Sequence, residues 1–245
     1  MAEDAIPRRH FLVGAGAAGT AVAAALTPTL PQSADAQAAP PQGTAISPPS
    51  AVAEPETWLT LSAAEVAFLS AAADIIIPAD ELSPSGTECG VVTYIDRQLA
   101  GAYGAGAKMY RSGPFHKGKP EQGYQLPLTP REYFATGIAA TNDWSRKTYG
   151  KEFDRLAPAE RVTALKALEE GTAQFDNFSS AAFFGRLLTI VMEGFFSDPM
   201  YGGNRNKVSW TMLGFPGLPA TYADKVDAYR NKRYVAPPQS IADFS

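Results

Sequence analysis

The stretch that most constrains this chain runs from Glu193 to Gly217 and reads EGFFSDPMYGGNRNKVSWTMLGFPG. An apolar run with Phe183, Phe184, Leu187, Leu188, Val191 and Met192 at helical spacing ends at Phe195-Phe196. Directly after it come Ser197, Asp198, Pro199, Gly202, Gly203 and Asn204, residue types that stop helices and set turns. Pro199 fixes its own φ and moves Asp198 away from helical geometry, while Gly202 and Gly203 admit positive φ. A core helix is therefore delivered into a loop of one built shape between Tyr201 and Trp210. Whatever else the chain forms has to pack around that helix.

The other periodicities are helical as well. Ser62 and Glu65 make an S-x-x-E capping box, opening a helix through Val66, Leu69, Ala73 and Ile76 that stops at Pro78. A second helix is predicted from about Cys89 to Ala100, with Val92, Ile95 and Leu99 on one face, and the Gly-rich AGAYGAGAK closes it. Thr129, Pro130 and Glu132 occupy N-cap, N1 and N3 of a third, through Tyr133, Phe134, Ile138 and Trp144. A fourth spans Ala157 to Glu170 and ends at Gly171; Ser179 or Ser180 caps the apolar helix that reaches Phe196. Tyr222 to Tyr229 predicts a last short helix, and AYRNKRYVAPPQSIADFS an extended surface arm. No segment alternates with period two. The expected fold class is all-α, an irregular helical domain with long connecting loops and extended terminal arms. The connection from Tyr103 to Leu128 is long enough to expect it to be functional or to cover a partner.

Composition removes whole classes of function. The net charge is −4 and the 21 basic residues are scattered, so no nucleic-acid partner is indicated. Two His and one Cys are too few for a Cys/His zinc site, an iron–sulfur cluster or the C-x-x-C-H attachment of a c-type haem. A Ser/His/Asp triad would have to use His116, in the loop GPFHKGKPEQG, and no G-x-S-x-G elbow exists. Metal ligands, cofactor-binding residues and catalytic residues are all expected to be absent from this chain.

The N-terminus reads as an export signal over residues 1–36. Arg8 and Arg9 precede Phe11 and Leu12 in P-R-R-H-F-L, which resembles the twin-arginine motif, and a short uncharged region follows. Ala34-Asp35-Ala36 places cleavage before Gln37. Gly14 to Gly19 fits G-x-G-x-x-G, but a charged octet precedes it and a Pro-rich tract follows, so the strand and helix that give the fingerprint its meaning are missing. Residues 37–57 are rich in Ala, Pro, Gln and Ser and read as a linker or arm, either ordering along a partner or staying unstructured. Residues 58–245 form the helical domain. No later run reaches the ~18 uninterrupted apolar residues of a membrane span.

Three sets of residues carry open alternatives. Glu193 and Asp198 flank a helix end, where a paired acid/base role is conceivable. The competing reading makes Asp198 a turn former whose carboxylate accepts amides around Gly202-Gly203, with Glu193 partnering Arg205 or a neighbouring donor. Tyr201, Trp210, Met212 and Phe215 could anchor a partner or pack internally. Cys89, in the exposed-looking SGTECGVV, is either a buried inert thiol or one end of a disulfide to another chain.

F-F-S-D-P-M-Y-G-G-N-R-N followed by W-T-M-L-G-F-P-G closely resembles the signature of the gluconate 2-dehydrogenase subunit 3 family. The resemblance extends to the twin-arginine leader, to IIIP at Ile75 to Pro78, to VVTYID at Val91 to Asp96 and to QGYQLPLTP at Gln122 to Pro130. It implies a non-catalytic small subunit of a periplasmic dehydrogenase complex at the outer face of the cytoplasmic membrane. Its partners would be a large FAD-carrying subunit and a multihaem cytochrome c subunit, with FAD and haem c held by those partners and membrane association arising through the complex. The reaction implied is D-gluconate to 2-keto-D-gluconate, with glucose, fructose or sorbitol dehydrogenases as related alternatives. The resemblance also raises Ser197, Asp198, Pro199, Tyr201, Gly202, Gly203, Asn204, Trp210 and Phe215 as a candidate partner interface. A free-standing exported enzyme or binding protein stands as the alternative class.

Overall fold

The computed structural model describes residues 57–116, 118–119, 122–176, 178–219 and 221–244. The signal residues Arg8, Arg9, Phe11 and Leu12, the cleavage site and all but the last residue of the 37–57 arm lie outside the described residues. Every named element falls in the unit Trp58–Ser245. Six α-helices follow in order: α1 Ala63–Ile76, α2 Val91–Ala100, α3 Pro130–Tyr149, α4 Pro158–Glu169, α5 Ser180–Phe196 and α6 Val208–Leu213. Short 3₁₀ turns punctuate them, and no strand occurs among the described residues. The fold is all-α.

The caps form where the residue types place them. Ser62 and Glu65 close a complete capping box on α1, as Thr129 and Glu132 do on α3 with Pro130 at its first position. Ser179 is the N-cap of α5, its side chain accepting from the Ala182 amide. The α2 start is different: Gly90, at φ 82°, is its N-cap and no side chain caps it. A separate device holds the chain entering α1. The Asp96 carboxylate, 2% exposed, accepts the amides of Leu59, Thr60 and Leu61 at 2.7, 3.0 and 3.0 Å, tying the segment before α1 to α2.

Helix α5 is the hub, packed against α4, α2 and α3 and also touching α1 and α6. Phe183, Leu187, Ile190 and Val191 on it are at most 2% exposed. The Phe183 ring meets Phe68 of α1 and Tyr133 and Phe134 of α3, with centroids 6.1 to 6.3 Å apart. Burying one such ring contributes about 2–3 kcal/mol, so this cluster sets the relative positions of three helices.

Two features differ from the sequence expectation at the C-terminal end. Residues 222–229 form hydrogen-bonded turns rather than a helix, with Lys225 N donating to Tyr222 O and Tyr229 N to Lys225 O. Its apolar residues Val226 and Tyr229 stay exposed, and unburied short helices do not hold. The tail runs as the expected extended surface arm and is pinned to the body near its end. Gln239 bridges to Gly217, Leu218 N donating to Gln239 O and Gln239 N to Pro216 O, before a 3₁₀ turn at Ile241–Phe244. Helix α6 itself was not expected; VSWTML has too few residues to carry a periodic signal.

Candidate functional site

The loop after α5 is built around Asn204. Its side chain is fully buried: Nδ2 donates to Ser197 O at 2.9 Å, and Oδ1 accepts from Ser209 N at 3.0 Å and Ser209 Oγ at 2.8 Å. One amide thus ties the end of α5 to the start of α6. Asn204 stands at φ 45°, Asn206 at 58° and Lys207 at 57°, so three of four successive residues occupy the left-handed region that side chains with a Cβ avoid. Such backbone persists only where surrounding contacts over-determine it. Here a Cβ on Gly203 would stand 2.1 Å from Gly194 O, and one on Gly90 would stand 2.3 Å from Gly202 O, so the loop lies directly on the ends of α5 and α2. Arg205 N donates to Cys89 O at 3.0 Å, and its guanidinium donates to Thr93 Oγ1 at 3.1 Å.

Asp198 is the second staple. Its Oδ1 accepts from Met200 N at 2.9 Å and its Oδ2 from Ile241 N at 2.9 Å. It is a turn former, as one reading held, but the amides it serves are those of Met200 and the C-terminal tail rather than those of Gly202-Gly203. A Lys207–Asp243 ion pair closes the same junction. The tail residues that complete this site were not legible in the sequence, because Ile241 lies 43 positions from Asp198 and carries no signal of its own.

Exposure divides the aromatic candidates. Trp210 is 7% exposed, its Nε1 donating to Phe196 O at 3.0 Å and its ring set edge-on to Phe215 at 5.2 Å. It is core, not contact surface. Around it Met200, Tyr201, Leu213 and Phe215 are 42 to 61% exposed, an apolar rim on a loop whose backbone is pinned at both ends. Cys89 is 1% exposed, with Sγ donating to Pro84 O, so within this chain it takes the buried setting of one of its two readings despite the exposed-looking sequence around it. The flanking Ser, Thr and Glu suggest a surface loop, but the turn at 86–90 packs onto α1.

A cleft of about 580 Å³ opens beside the loop, lined by Tyr94, Gln98, Glu193, Phe196, Ser197, Asp198 and Tyr201. The two carboxylates of the acid/base reading do share it. Burial raises the Glu193 carboxyl above its ordinary range although the side chain reaches solvent, and Arg186 opposes the rise. Burial and then Glu193 push the Tyr94 hydroxyl up to about 12, so at neutral pH it stays protonated and can both donate and accept. Ser197 Oγ donates to Gly194 O at 3.0 Å, and Asp198 is occupied by two amides. The cleft can therefore accept and donate hydrogen bonds, but it sets no nucleophile against a base. Among the described residues no group of three His, Cys, Asp or Glu could hold a metal ion, and no helix is long and apolar enough to cross a membrane.

No curated protein and no solved structure matches the chain. The sequence profile described as Gluconate 2-dehydrogenase subunit 3 matches residues 63–217, from the first residue of α1 to the glycine that pairs with the tail. That span is more than half of the 245 residues, and the chain belongs to the gluconate 2-dehydrogenase subunit 3 family.

Proposed function

We propose that this chain is the non-catalytic small subunit of a periplasmic, membrane-associated FAD-dependent dehydrogenase, acting in the oxidation of D-gluconate to 2-keto-D-gluconate. Membership of a family described as a subunit implies partner chains. The observation that carries the reading is the pinned loop with its apolar rim: Met200, Tyr201, Leu213 and Phe215 stay exposed on a backbone held by Asn204, Asp198 and Gly203. A preorganised apolar surface loses little entropy on docking, which is what a permanent subunit contact favours. The partner is a large FAD-carrying subunit, with a multihaem cytochrome c subunit completing the complex. Haem c and FAD belong to those chains: one buried Cys cannot form the two thioether links of a c-type haem, and the only G-x-G-x-x-G lies in the leader. The twin-arginine leader carries folded cargo, so this chain supports export, maturation and stability of the flavoprotein.

Purification of the C-terminally tagged chain from its native membranes tests this directly. The expected result is two larger co-purifying chains with a flavin and c-haem spectrum, and their loss on Leu213→Glu with Phe215→Glu, both surface positions. A colourless preparation containing the tagged chain alone would overturn it.

A further inference from the structure

A second and larger cleft, about 1200 Å³, lies nearer the start of α5, between that end of the helix and the segment leading to α3. Its wall has an unusual inner face. Tyr133 is 1% exposed, and its hydroxyl has no hydrogen-bond partner among the described residues. A buried hydroxyl left unpaired costs about 1–3 kcal/mol, and native interiors rarely leave one so. The ring is fixed where it stands: Tyr124 stacks on it at 4.1 Å with planes 8° apart, and Phe178 meets it at 5.2 Å. The hydroxyl therefore cannot swing away to find a partner of its own.

The described wall of the cleft is basic. Lys119 and Arg186 are on its wall, and none of the described lining residues is a carboxylate, although the whole chain carries −4. Among the described residues no carboxylate forms an ion pair with Arg186. Its Nη2 lies over Gly123, 3.5 Å from where a Cβ would stand. Burial drives the Tyr133 hydroxyl up to about 12, with Arg186 pulling against that rise, which sets the guanidinium and the hydroxyl within each other's field. Ser179 and Ala181, at the start of α5, place the positive end of a 17-residue helix on the same wall.

The geometry points to a binding site for a small organic carboxylate with a planar apolar body. The body lies against Phe178 and the edge of the tyrosine stack, and the carboxylate accepts from the Tyr133 hydroxyl and the Arg186 guanidinium. A carboxylate suits this pair because its two oxygens can take one charge-assisted bond from each donor. A neutral amide offers one acceptor and presents an N–H to the guanidinium. The site is separate from the apolar rim, and only the comparison of the free chain with its complex rests on the subunit reading.

Benzoate is the smallest probe with this chemistry, and benzamide is its neutral counterpart. Calorimetric titration of the full mature chain, free and in its native complex, is expected to show benzoate binding on the order of tenfold tighter than benzamide. Arg186→Gln and Tyr133→Phe are each expected to weaken benzoate on the order of tenfold. Without ligand, Tyr133→Phe should unfold at a higher temperature than the parent, because it deletes an unpaired donor without opening a cavity. That rise separates loss of a ligand contact from loss of folding. Equal affinity for benzoate and benzamide, no benzoate binding, or binding untouched by both variants would overturn the proposal. Benzoate binding to the free chain but not to the complex would also overturn it, by assigning the carboxylate to a partner subunit.

Discussion

Asn204→Ala is the substitution that tests most directly how the loop is held. It removes three hydrogen bonds, to Ser197 O, Ser209 N and Ser209 Oγ, all at a fully buried position. A net contribution of about 1 kcal/mol per bond is the floor; stranding buried groups raises the cost to about 1–3 kcal/mol each. The three do not add fully, since Ser209 supplies two of them and its hydroxyl can rotate toward another acceptor. Alanine also has to hold φ 45°, which costs a further 1–2 kcal/mol or so. The sum is about 4–6 kcal/mol. For a domain of this size each kcal/mol moves the midpoint by about 2–4 °C, so Tm should fall by roughly 8–24 °C.

Asn204→Gly separates the two contributions. Glycine loses the same hydrogen bonds but adopts φ 45° freely, so it should recover about 1 kcal/mol of the alanine deficit, less what its own chain entropy takes back. Urea denaturation of the full chain, followed by circular dichroism, measures both variants against the parent. Asn204→Ala losing less than about 1 kcal/mol would refute the claim that this amide holds the loop together. Alanine and glycine falling together would refute the part assigned to backbone strain.

The remaining expectations concern neighbouring parts of the same end of the molecule. Gly203→Ala should destabilise as severely as any single change here, because the new methyl meets a main-chain oxygen at 2.1 Å; a midpoint within error of the parent would show that the loop can move off α5. Asp198→Ala should release the tail, seen as faster amide exchange at Ile241 with Asn204-linked amides unchanged; exchange spreading to Ser209 would mean that the two staples are one unit. Glu193→Gln should stabilise the chain at pH 7. Its folded-state pKa is raised, so the native state binds the proton more tightly and stability falls as pH rises above the ordinary value of 4.5. The gain over the parent should therefore vanish below that pH, and a pH-independent gain would point to packing instead. Cys89 should resist Ellman's reagent until urea unfolds the chain, whereas rapid labelling of the native protein would contradict its burial.

Helix starts were legible in the sequence to within a residue or two wherever a side chain makes the cap. Ser62 with Glu65, Thr129 with Glu132, and Ser179 all act through bonds spanning three positions, so the information is local. The loop was legible as a built loop for the same reason, from Pro199 and the paired glycines. What holds it was not. Asn204 looks like one more turn residue until it is seen bonded to Ser197 and Ser209, and Asp198 gives no hint that half its carboxylate serves Ile241. Asp96 is a further case: it sits in a helix that reads as ordinary, yet it gathers three amides from residues 59–61. Each of these depends on a contact between distant segments that no periodicity encodes. For Cys89 and Trp210 the sequence leaves a buried and a partner-facing reading open for a related reason, since exposure is a property of the packed chain and not of neighbouring residue types.

The apolar rim and the staples are made of different residues, and that separation has a consequence for how a subunit of this kind can change. Ser197, Gly203 and Asn204 face inward or lie against α5, while Tyr201, Leu213 and Phe215 face out from the same short stretch. A change at the inner set alters the shape of the loop, so it costs folding and docking together. A change at the outer set alters only what the loop presents, because those side chains support little of the backbone beneath them. The rim can therefore be retuned to a different partner surface while the inner residues stay as they are. A rim variant that lost stability as well as its partner would contradict this division, and the Leu213→Glu with Phe215→Glu variant measures both quantities in one preparation.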